Sequence, residues 1–579
     1  MSRQLTISVG QHSDRGRKET NQDFHGIVIP AEPLLSSKGI AVALADGISS
    51  SDVSQIASES AVKGFLEDYY CTSDAWSVKT SAQRVLDATN SWLHAQTRRG
   101  RDPYDRDRGY VCTLSAMVIK SATAHLFHVG DSRIWRLGGQ TLEQLTEDHR
   151  IVVSSQQSYL GRALGINPQL EIDYLAVPVA AGDIFLLATD GIHEYVAPGF
   201  MASAIRAQAG DLDGAAALIV QEALQQGSPD NLTLQIVRID SLPDPGADEV
   251  AGQISGLALP PLPEPRALFD GYRIIRELHG SSRSHIYLAT DPETQALVAL
   301  KLPSIDLRHD PDYLRRFLME EWVARRLNSA HVLKPCPPTR QRSYLYVATE
   351  FVDGQTLTQW MTDHPRPGLE TVRDIVEQIA RGLQAFHRME MLHQDLRPEN
   401  IMIDRTGTVK IIDFGAVRVA GVAESAAPDA PEDILGTVQY TAPEYFLGEG
   451  GSPGSDIFSL GVIAYQMLTG RLPYGTAAAR VRSRAALRRL AYLPAADDDR
   501  EIPAWIDAVL RRAVHPDPLR RYAELSEFTH DLRHPNRTLA GRGAAPLLAR
   551  SPLAFWKGVA AILAGTVVLL LVALGLQHG

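Results

Sequence analysis

Aspartates at the ends of apolar runs are the residues of this sequence best suited to chemistry. Asp23 in TNQDF, Asp46 in ALADG, Asp190 in LATDG and Asp230 in SPDNL each sit where a strand-like run meets a turn. Hard divalent cations take clustered carboxylate oxygens, and two ions sharing such a cluster activate water for in-line attack on phosphorus. Glycine directly after the aspartate, at Gly47 and Gly191, lets the chain turn sharply and bring a backbone carbonyl towards a metal. A single Asp-Gly pair is ordinarily a turn and nothing more, so the inference rests on the order and context of all four.

A second set lies further along. Lys301 ends the run LVALK, where its ammonium could reach nucleotide phosphates if an acidic residue held it; Glu320 is the expected partner and Glu321 the alternative. HQDLRPEN offers Asp395 to orient or accept a hydroxyl proton and Asn400 to bind metal, and DFG offers Asp413 as a second metal carboxylate. A lone strand lysine is ordinarily a solvated residue, and a lone DFG means little. The series continues through Glu444 in TAPE, Asp456 in SDIFSLG and Arg521 in DPLRRY.

Read with SDRGRKETNQD, VGDSRIW, LTEDH, LGRALG and SPDNLTL, the first set resembles the metal-dependent protein phosphatases of type 2C over about residues 5 to 240. The resemblance implies that Asp23, Asp46, Asp190 and Asp230, with the Gly47 carbonyl, hold a binuclear manganese or magnesium centre. It makes Asp131 of GDSR a ligand to a third, weaker metal; the alternative is a structural carboxylate paired with Arg133. Asp148 and His149 read as structural. Two positions depart from the family. Lys18, with Arg17 adjacent, stands where an arginine grips the substrate phosphate, and lysine is a point charge rather than a fork. Ile48 follows the Asp-Gly and offers no proton.

The second set looks like the eukaryotic-type Ser/Thr protein kinases over about residues 270 to 533. By that resemblance Lys301, Gly280, Ser281, Asn400 and Asp413 contact ATP and its Mg2+, Asp395 acts on the substrate hydroxyl, and Glu320 holds Lys301. Arg397 replaces the catalytic-loop lysine and keeps positive charge near the transferring group. Glu444 and Arg521 match a structural ion pair, and Asp456 a helix-anchored hub. The nucleotide loop departs: in LHGSSRSHIY, His279, Ser281 and Ser284 occupy the three glycine positions, and a Cβ there restricts the backbone. Gln394 replaces the arginine that reads a phosphorylated loop, so phosphate at Thr437 or Ser425 is not expected to switch activity through that pair.

The elements that must position these residues differ between the two halves. Up to about residue 240, runs such as IAVALADG, CTLSAMVIK, TAHLFHVG, DIFLLATDG and LTLQIVRI are strand-like, with helices expected around 53–70, 81–98 and 200–226. No βαβ rhythm appears, so the reading is α+β, an N-terminal β-sandwich flanked by helices. SLPDPGADEVAGQISGLALPPLPEP reads as a Pro/Gly-rich linker over 241–268. Residues 269–535 then read as a two-lobed unit, β-rich and then helical. A juxtamembrane segment over 536–553 and a transmembrane helix over 554–576 are expected to follow, with Trp556 at the interface.

The 579 residues suit two domains, and 44% hydrophobic with 22% charged residues is globular. A net charge of −11 argues against a nucleic-acid partner. Three cysteines without a C-x-x-C pair fit a reducing compartment and give no zinc signature. The start, MSRQLTISVGQHSD, lacks a secretory pattern. Arg537, Arg542, Arg550 and Lys557 precede the apolar tail, which predicts both units on the cytoplasmic side of a membrane, with a bacterial inner membrane as the expected one. Together the resemblances imply a bifunctional signalling enzyme with protein Ser/Thr and phosphoSer/phosphoThr substrates, extending to autophosphorylation and self-dephosphorylation. The alternative is an active phosphatase carrying a degenerate kinase-like nucleotide-sensing or docking domain.

Overall fold

The computed structural model describes residues 4–100, 105, 108–154, 157–243, 257–307, 310–337, 342–424, 439–496, 502–540 and 552–577. In the N-terminal unit the strands are β1 (Thr6–Asp14), β2 (Asp23–Val28), β3 (Ile40–Asp46), β4 (Leu114–Lys120), β5 (Thr123–Val129), β6 (Arg133–Gly138), β7 (Thr141–Gln144), β8 (Arg150–Ser154), β9 (Gln157–Leu160), β10 (Asp173–Pro178), β11 (Ile184–Ala188) and β12 (Leu232–Ser241). They form two antiparallel sheets, ordered β1-β12-β11-β6-β7 and β10-β5-β4-β3-β2, with β8–β9 a separate hairpin.

Strand β3 shows why the sheets face one another. Ile40, Val42 and Leu44 point between the sheets with Met117, Phe185, Leu187 and Val237. Ala41, Ala43 and Ala45 point the other way, under Ala57, Ala61 and Phe65. Alternation with period two puts bulky side chains inside, and alanines on the outer face let helices approach closely. Those helices are α1 (Ser54–Cys71) and α2 (Val78–Arg99); α3 (Pro198–Ala207) and α4 (Leu212–Gln225) cover the other sheet. The expected single helix over 200–226 is two, because Asp211 caps α4 by accepting the Gly214 amide at 3.0 Å.

The C-terminal unit begins with a five-stranded antiparallel sheet: β13 (Leu268–Phe269), β14 (Tyr272–Gly280), β15 (Ser284–Thr290), β16 (Leu297–Pro303) and β17 (Val347–Glu350). Against it lies α5 (Pro311–Arg326), started by Pro311 after the Asp310 cap. The helical lobe is built on α6 (Leu369–Arg388), whose Val372, Ile375, Val376, Ile379, Leu383 and Phe386 make one buried stripe. Short strands β18 (Gly354–Thr356), β19 (Met391–Leu392), β20 (Ile401–Asp404), β21 (Val409–Ile411) and β22 (Arg418–Val419) frame the loops carrying Asp395 and Asp413. After β22 come a short helix, α7 (Ala420–Ala423), and the almost wholly buried α8 (Pro453–Thr469).

Two buried charges organise this lobe. Asp456, 1% exposed, accepts the His393 amide at 3.0 Å, the Gln394 amide at 3.1 Å and His387 Nε2 at 2.9 Å. It thereby holds Gln394 at a φ of 64°, a left-handed backbone that a non-glycine residue rarely adopts. Glu444 accepts both guanidinium Nη atoms of Arg521, at 2.6 and 2.7 Å, and the Ser455 hydroxyl at 2.7 Å.

The expected membrane span over 554–576 is corrected, and with it the membrane partner and the inner-membrane location. Among the described residues no helix is long and apolar enough to cross a membrane. The C-terminal segment does form a helix, Pro552–Gln577.

Arg521→Ala strands the Glu444 carboxylate in the interior, and we expect a loss of about 3–5 kcal/mol, measured as earlier urea-induced loss of hydrogen-exchange protection in α6. Burial raises the pKa of Asp456, but the hydrogen bond and charge of His387, with His393, outweigh it and leave the group below its usual value of 3.8. A depressed aspartate stabilises the fold above its unfolded pKa and loses that contribution as pH falls through the folded one. The stability gap between wild type and Asp456→Asn should therefore narrow below about pH 4 in urea titrations.

Candidate active sites

In the N-terminal unit the register of β2 and β3 sets Asp23 opposite Asp46 at the same end of one sheet. Asp190 follows β11 at the matching end of the other. Thr189 links the sheets by donating its hydroxyl to Asp23 Oδ2 at 3.0 Å. Oxygens of Asp46, Asp131 and Asp190 lie within 4.8 Å of one another. Gly47 and Gly191 are required by space as well as by turning: a Cβ would stand 2.7 Å from the Ser54 carbonyl oxygen at Gly47, and 2.1 Å from that of Asn231 at Gly191.

The electrostatics are those of an anion cluster short of positive charge. Burial pushes Asp23 up to about 6 against the opposing hydrogen bonds of Thr233, Asp46 and Thr189, and pushes Asp190 up to about 7, where Asp131, Asp230 and Glu194 add to the shift and Arg150 opposes it. Burial also drives Asp46 well above its usual range, and Asp23, Asp190, Asp131 and Asp230 each push it further. Asp23 Oδ1 and Asp190 Oδ1 are buried and receive no hydrogen bond from the described residues. Convergent hard oxygens with unused lone pairs suit divalent ions such as Mn2+ or Mg2+, so the residues present fit the expected binuclear centre.

Other side chains complete the surround. Lys18 pairs with Asp230 and donates to Ser49 Oγ at 2.6 Å, while Arg17 is exposed. Arg133 grips Asp148 with two bonds, at 2.8 and 2.7 Å; the alternative partner proposed for Asp131 is thus engaged elsewhere. Asp131 instead receives Arg150 Nε at 2.6 Å, and the same guanidinium reaches Asp190 at 2.8 Å and Glu194 at 2.7 Å. His149 bonds Asp173 at 2.9 Å, consistent with a structural role.

In the C-terminal unit Lys301 on β16 meets Glu320 on α5 at 2.6 and 2.7 Å, and Asp413 at 3.7 Å. Burial would lower the Lys301 pKa, but Asp413 and Glu320 outweigh it and hold the ammonium charged. Gly415 permits this closeness, since a Cβ there would lie 2.9 Å from Glu320 Oε1. The alternative partner Glu321 is occupied by Arg325 and Arg342. Asn400 Nδ2 donates to Asp395 Oδ2 at 3.0 Å and to its carbonyl oxygen at 2.9 Å, and Arg397 lies 3.6 Å from the same carboxylate. In the nucleotide loop Gly280 and His279 are exposed, and Ser281 Oγ accepts the amides of Arg283 and Ser284 at 3.2 Å each. Thr437 and Ser425 lie outside the described residues.

Sequence reasoning missed three organisers. Arg150 stands directly after the LTEDH motif, a position that marks it only once its reach to Asp131 is seen. Asn231 ties the first-motif loop by donating to the Arg15 and Thr20 carbonyl oxygens, at 2.9 and 3.0 Å, and accepting the Gln22 amide at 2.9 Å; its place beside Asp230 was a usable signal. Tyr313 bridges α5 to one end of the β15–β16 pair, where Ser284 faces Pro303, through the Arg283 carbonyl oxygen and the Ser304 amide, and nothing in its local sequence announces that.

Comparison with known proteins agrees with both halves. The family described as protein phosphatase 2C matches residues 11–225, and the protein kinase domain family matches residues 272–535. Serine/threonine-protein kinase PrkC of Bacillus subtilis is 30% identical over 269 residues, 45% of this chain and 40% of that protein. PknB of Mycobacterium leprae is 31% identical over 274 residues, 46% of this chain and 43% of that protein. The chain thus spans under half the length of these curated relatives. Among solved structures, the Mycobacterium tuberculosis serine/threonine phosphatase PstP/Ppp is 25% identical, with a TM-score of 0.34 over 41% of this chain and 100% of that one. ATP with Mg2+ accompanies a kinase domain, and a binuclear Mn2+ or Mg2+ centre a 2C phosphatase domain. With its carboxylate cluster and its lysine–glutamate–aspartate triangle on separate units, this chain joins a protein phosphatase 2C domain, residues 11–225, to a protein kinase domain, residues 272–535, in one polypeptide.

Proposed function

We propose that the protein is a bifunctional signalling enzyme that phosphorylates Ser/Thr side chains of proteins with ATP in one domain and hydrolyses phosphoSer/phosphoThr in the other. The observation that carries this reading is the pair of separate carboxylate clusters, one starved of positive charge and one arranged around a lysine.

In the phosphatase domain we assign Asp23, Asp46, Asp190 and Asp230, with the Gly47 carbonyl, as the holders of two divalent ions, and Asp131 as a further ligand. Such ions supply Lewis acidity and a nucleophilic water at phosphorus. Lys18, already beside Asp230, neutralises the substrate phosphate, and exposed Arg17 adds charge at the entrance. Thr189 fixes the Asp23 carboxylate, leaving its other oxygen for ligation. Because Ile48 has no proton to give, the leaving alkoxide takes its proton from water.

In the kinase domain Lys301, clamped by Glu320, binds phosphate oxygens, while Asn400 and Asp413 hold the Mg2+ that offsets charge on the phosphates. Asp395 accepts the proton of the attacking hydroxyl. Its carboxylate is oriented for this by Asn400, and Arg397 keeps positive charge beside the group in flight. Gly280 and Ser281 border the nucleotide. One observation favours a second reading, a nucleotide-sensing domain without transfer: the Ser281 hydroxyl already occupies two loop amides that could otherwise face phosphate. Nucleotide-dependent thermal stabilisation without transfer of labelled phosphate would establish it.

Asp395→Asn should lower ATP-driven phosphorylation by about 10²-fold or more and leave p-nitrophenyl phosphate hydrolysis unchanged; equal loss of both contradicts independent sites. Asp190→Asn should weaken Mn2+ binding at least about 10-fold by calorimetric titration and reduce hydrolysis without affecting phosphorylation.

A further inference from the structure

The two domains are joined by more than the linker. The turn between α1 and α2, residues 72–77, and the first turn of α2 are seated on the kinase domain. Asp74 accepts Arg326 Nε and Nη2, one edge of the guanidinium, at 2.9 and 2.6 Å. Arg326 is the last residue of α5, the helix that carries Glu320, and its guanidinium lies 3.6 Å over the Trp322 ring. Ala75 is fully buried within the core of the kinase domain, and its carbonyl oxygen accepts the Gly421 amide at 3.0 Å. Trp76 Nε1 donates to the Arg388 carbonyl oxygen at 3.0 Å.

Two kinase glutamates complete the N-terminus of the phosphatase helix α2. Glu390 accepts the Ser77 amide at 2.7 Å, the Ser77 hydroxyl at 2.8 Å and the Thr80 hydroxyl at 2.7 Å. Glu424 accepts the Val78 amide at 3.1 Å. Unpaired first-turn amides and the helix dipole both favour carboxylates at this place. Lys120, at the end of β4 and 2% exposed, donates to the Gly421 carbonyl oxygen at 2.6 Å and to Glu424 at 3.2 Å. The fit leaves no space, since a Cβ on Gly421 would stand 2.5 Å from the Asp74 carbonyl oxygen and 2.6 Å from that of Trp76.

The three kinase pieces gripped here surround its chemistry. Helix α5 carries Glu320, β19 leads directly into His393–Asp395, and β22–α7 is the segment that follows Asp413. Strands β19 and β22 are paired through Met391 and Val419, so holding Gly421 and Glu424 also holds the approach to Asp395. In this docked arrangement Glu320 is on Lys301 at 2.6 Å, the geometry that transfer requires. Gln394 has no charge with which to read a phosphorylated loop, and Lys120 supplies a cation to this segment from another domain.

We propose that the 72–80 segment of the phosphatase domain is an intramolecular docking surface that holds α5 and the segment after Asp413 in the transfer-ready position, making Asp74 and Lys120 positioning residues for the kinase reaction. The proposal rests on the kinase activity proposed above.

The test uses the full chain and three measurements: kcat and KM for ATP-driven phosphorylation, p-nitrophenyl phosphate hydrolysis, and hydrogen exchange at the Gly421 amide. Asp74→Arg and Gly421→Val should expose the Gly421 amide and lower kcat about 5-fold or more, with hydrolysis within about 2-fold of wild type, a change too small to count as coupling. Asp74→Glu, or the exchange of charges in Asp74→Arg with Arg326→Asp, should restore kcat. Exposure of Gly421 with unchanged or increased kcat overturns the proposal, as does a Gly421 amide that stays protected in both variants. If wild type transfers no phosphate, the kinase reading fails on its own. Protection of the Gly421 amide and ATP-induced thermal stabilisation then decide the docking claim: loss of both in Asp74→Arg supports it, and retention of either overturns it.

Discussion

Carboxylates buried at the ends of strands and at helix starts are unstable unless something positive or hydrogen-bonding faces them, and each part of this protein answers that demand differently. In the kinase lobe Glu444 is answered by Arg521 and Asp456 by backbone amides and His387. Both answers come from the chain itself, and their product is a rigid frame for the loop carrying Asp395. In the phosphatase domain Asp23, Asp46 and Asp190 are only partly answered, by Thr189 and Arg150. The remaining charge is the physical reason for a cation at that place.

The same demand shapes the joint between the domains. Glu390 and Glu424 belong to the kinase by sequence, but the amides and the lysine that satisfy them belong to the phosphatase. Neither domain's polar surface is complete alone at this face. That arrangement turns a linker-joined pair into one mechanical object and gives the position of α5 a dependence on residues outside the kinase fold.

The clustered aspartates of the phosphatase domain were legible in the sequence because each stands next to a glycine or turn at the end of an apolar run, so local pattern and position coincide. The sandwich was legible from alternation such as that in β3. Lys301 and Glu320 could be paired because strand and helix positions are both local features. Arg150, Tyr313 and the docking turn were not legible: their partners are remote in the chain, and an Asp-Ala-Trp turn looks like any other surface turn. The break between α3 and α4 hides in Asp211, a single capping residue inside an otherwise helical pattern. The C-terminal apolar run shows the opposite error, in which hydrophobicity was read as a span that the described helix does not provide.

The central claim is that remote carboxylates converge into two separate cation-holding sites in one chain. Anomalous diffraction from crystals grown with Mn2+ and a non-hydrolysable ATP analogue tests it most directly. The account predicts manganese among Asp23, Asp46, Asp190 and Asp230, and nucleotide phosphates between Lys301 and Asp413. An empty aspartate cluster at saturating manganese, or phosphates bound away from Lys301, would contradict it.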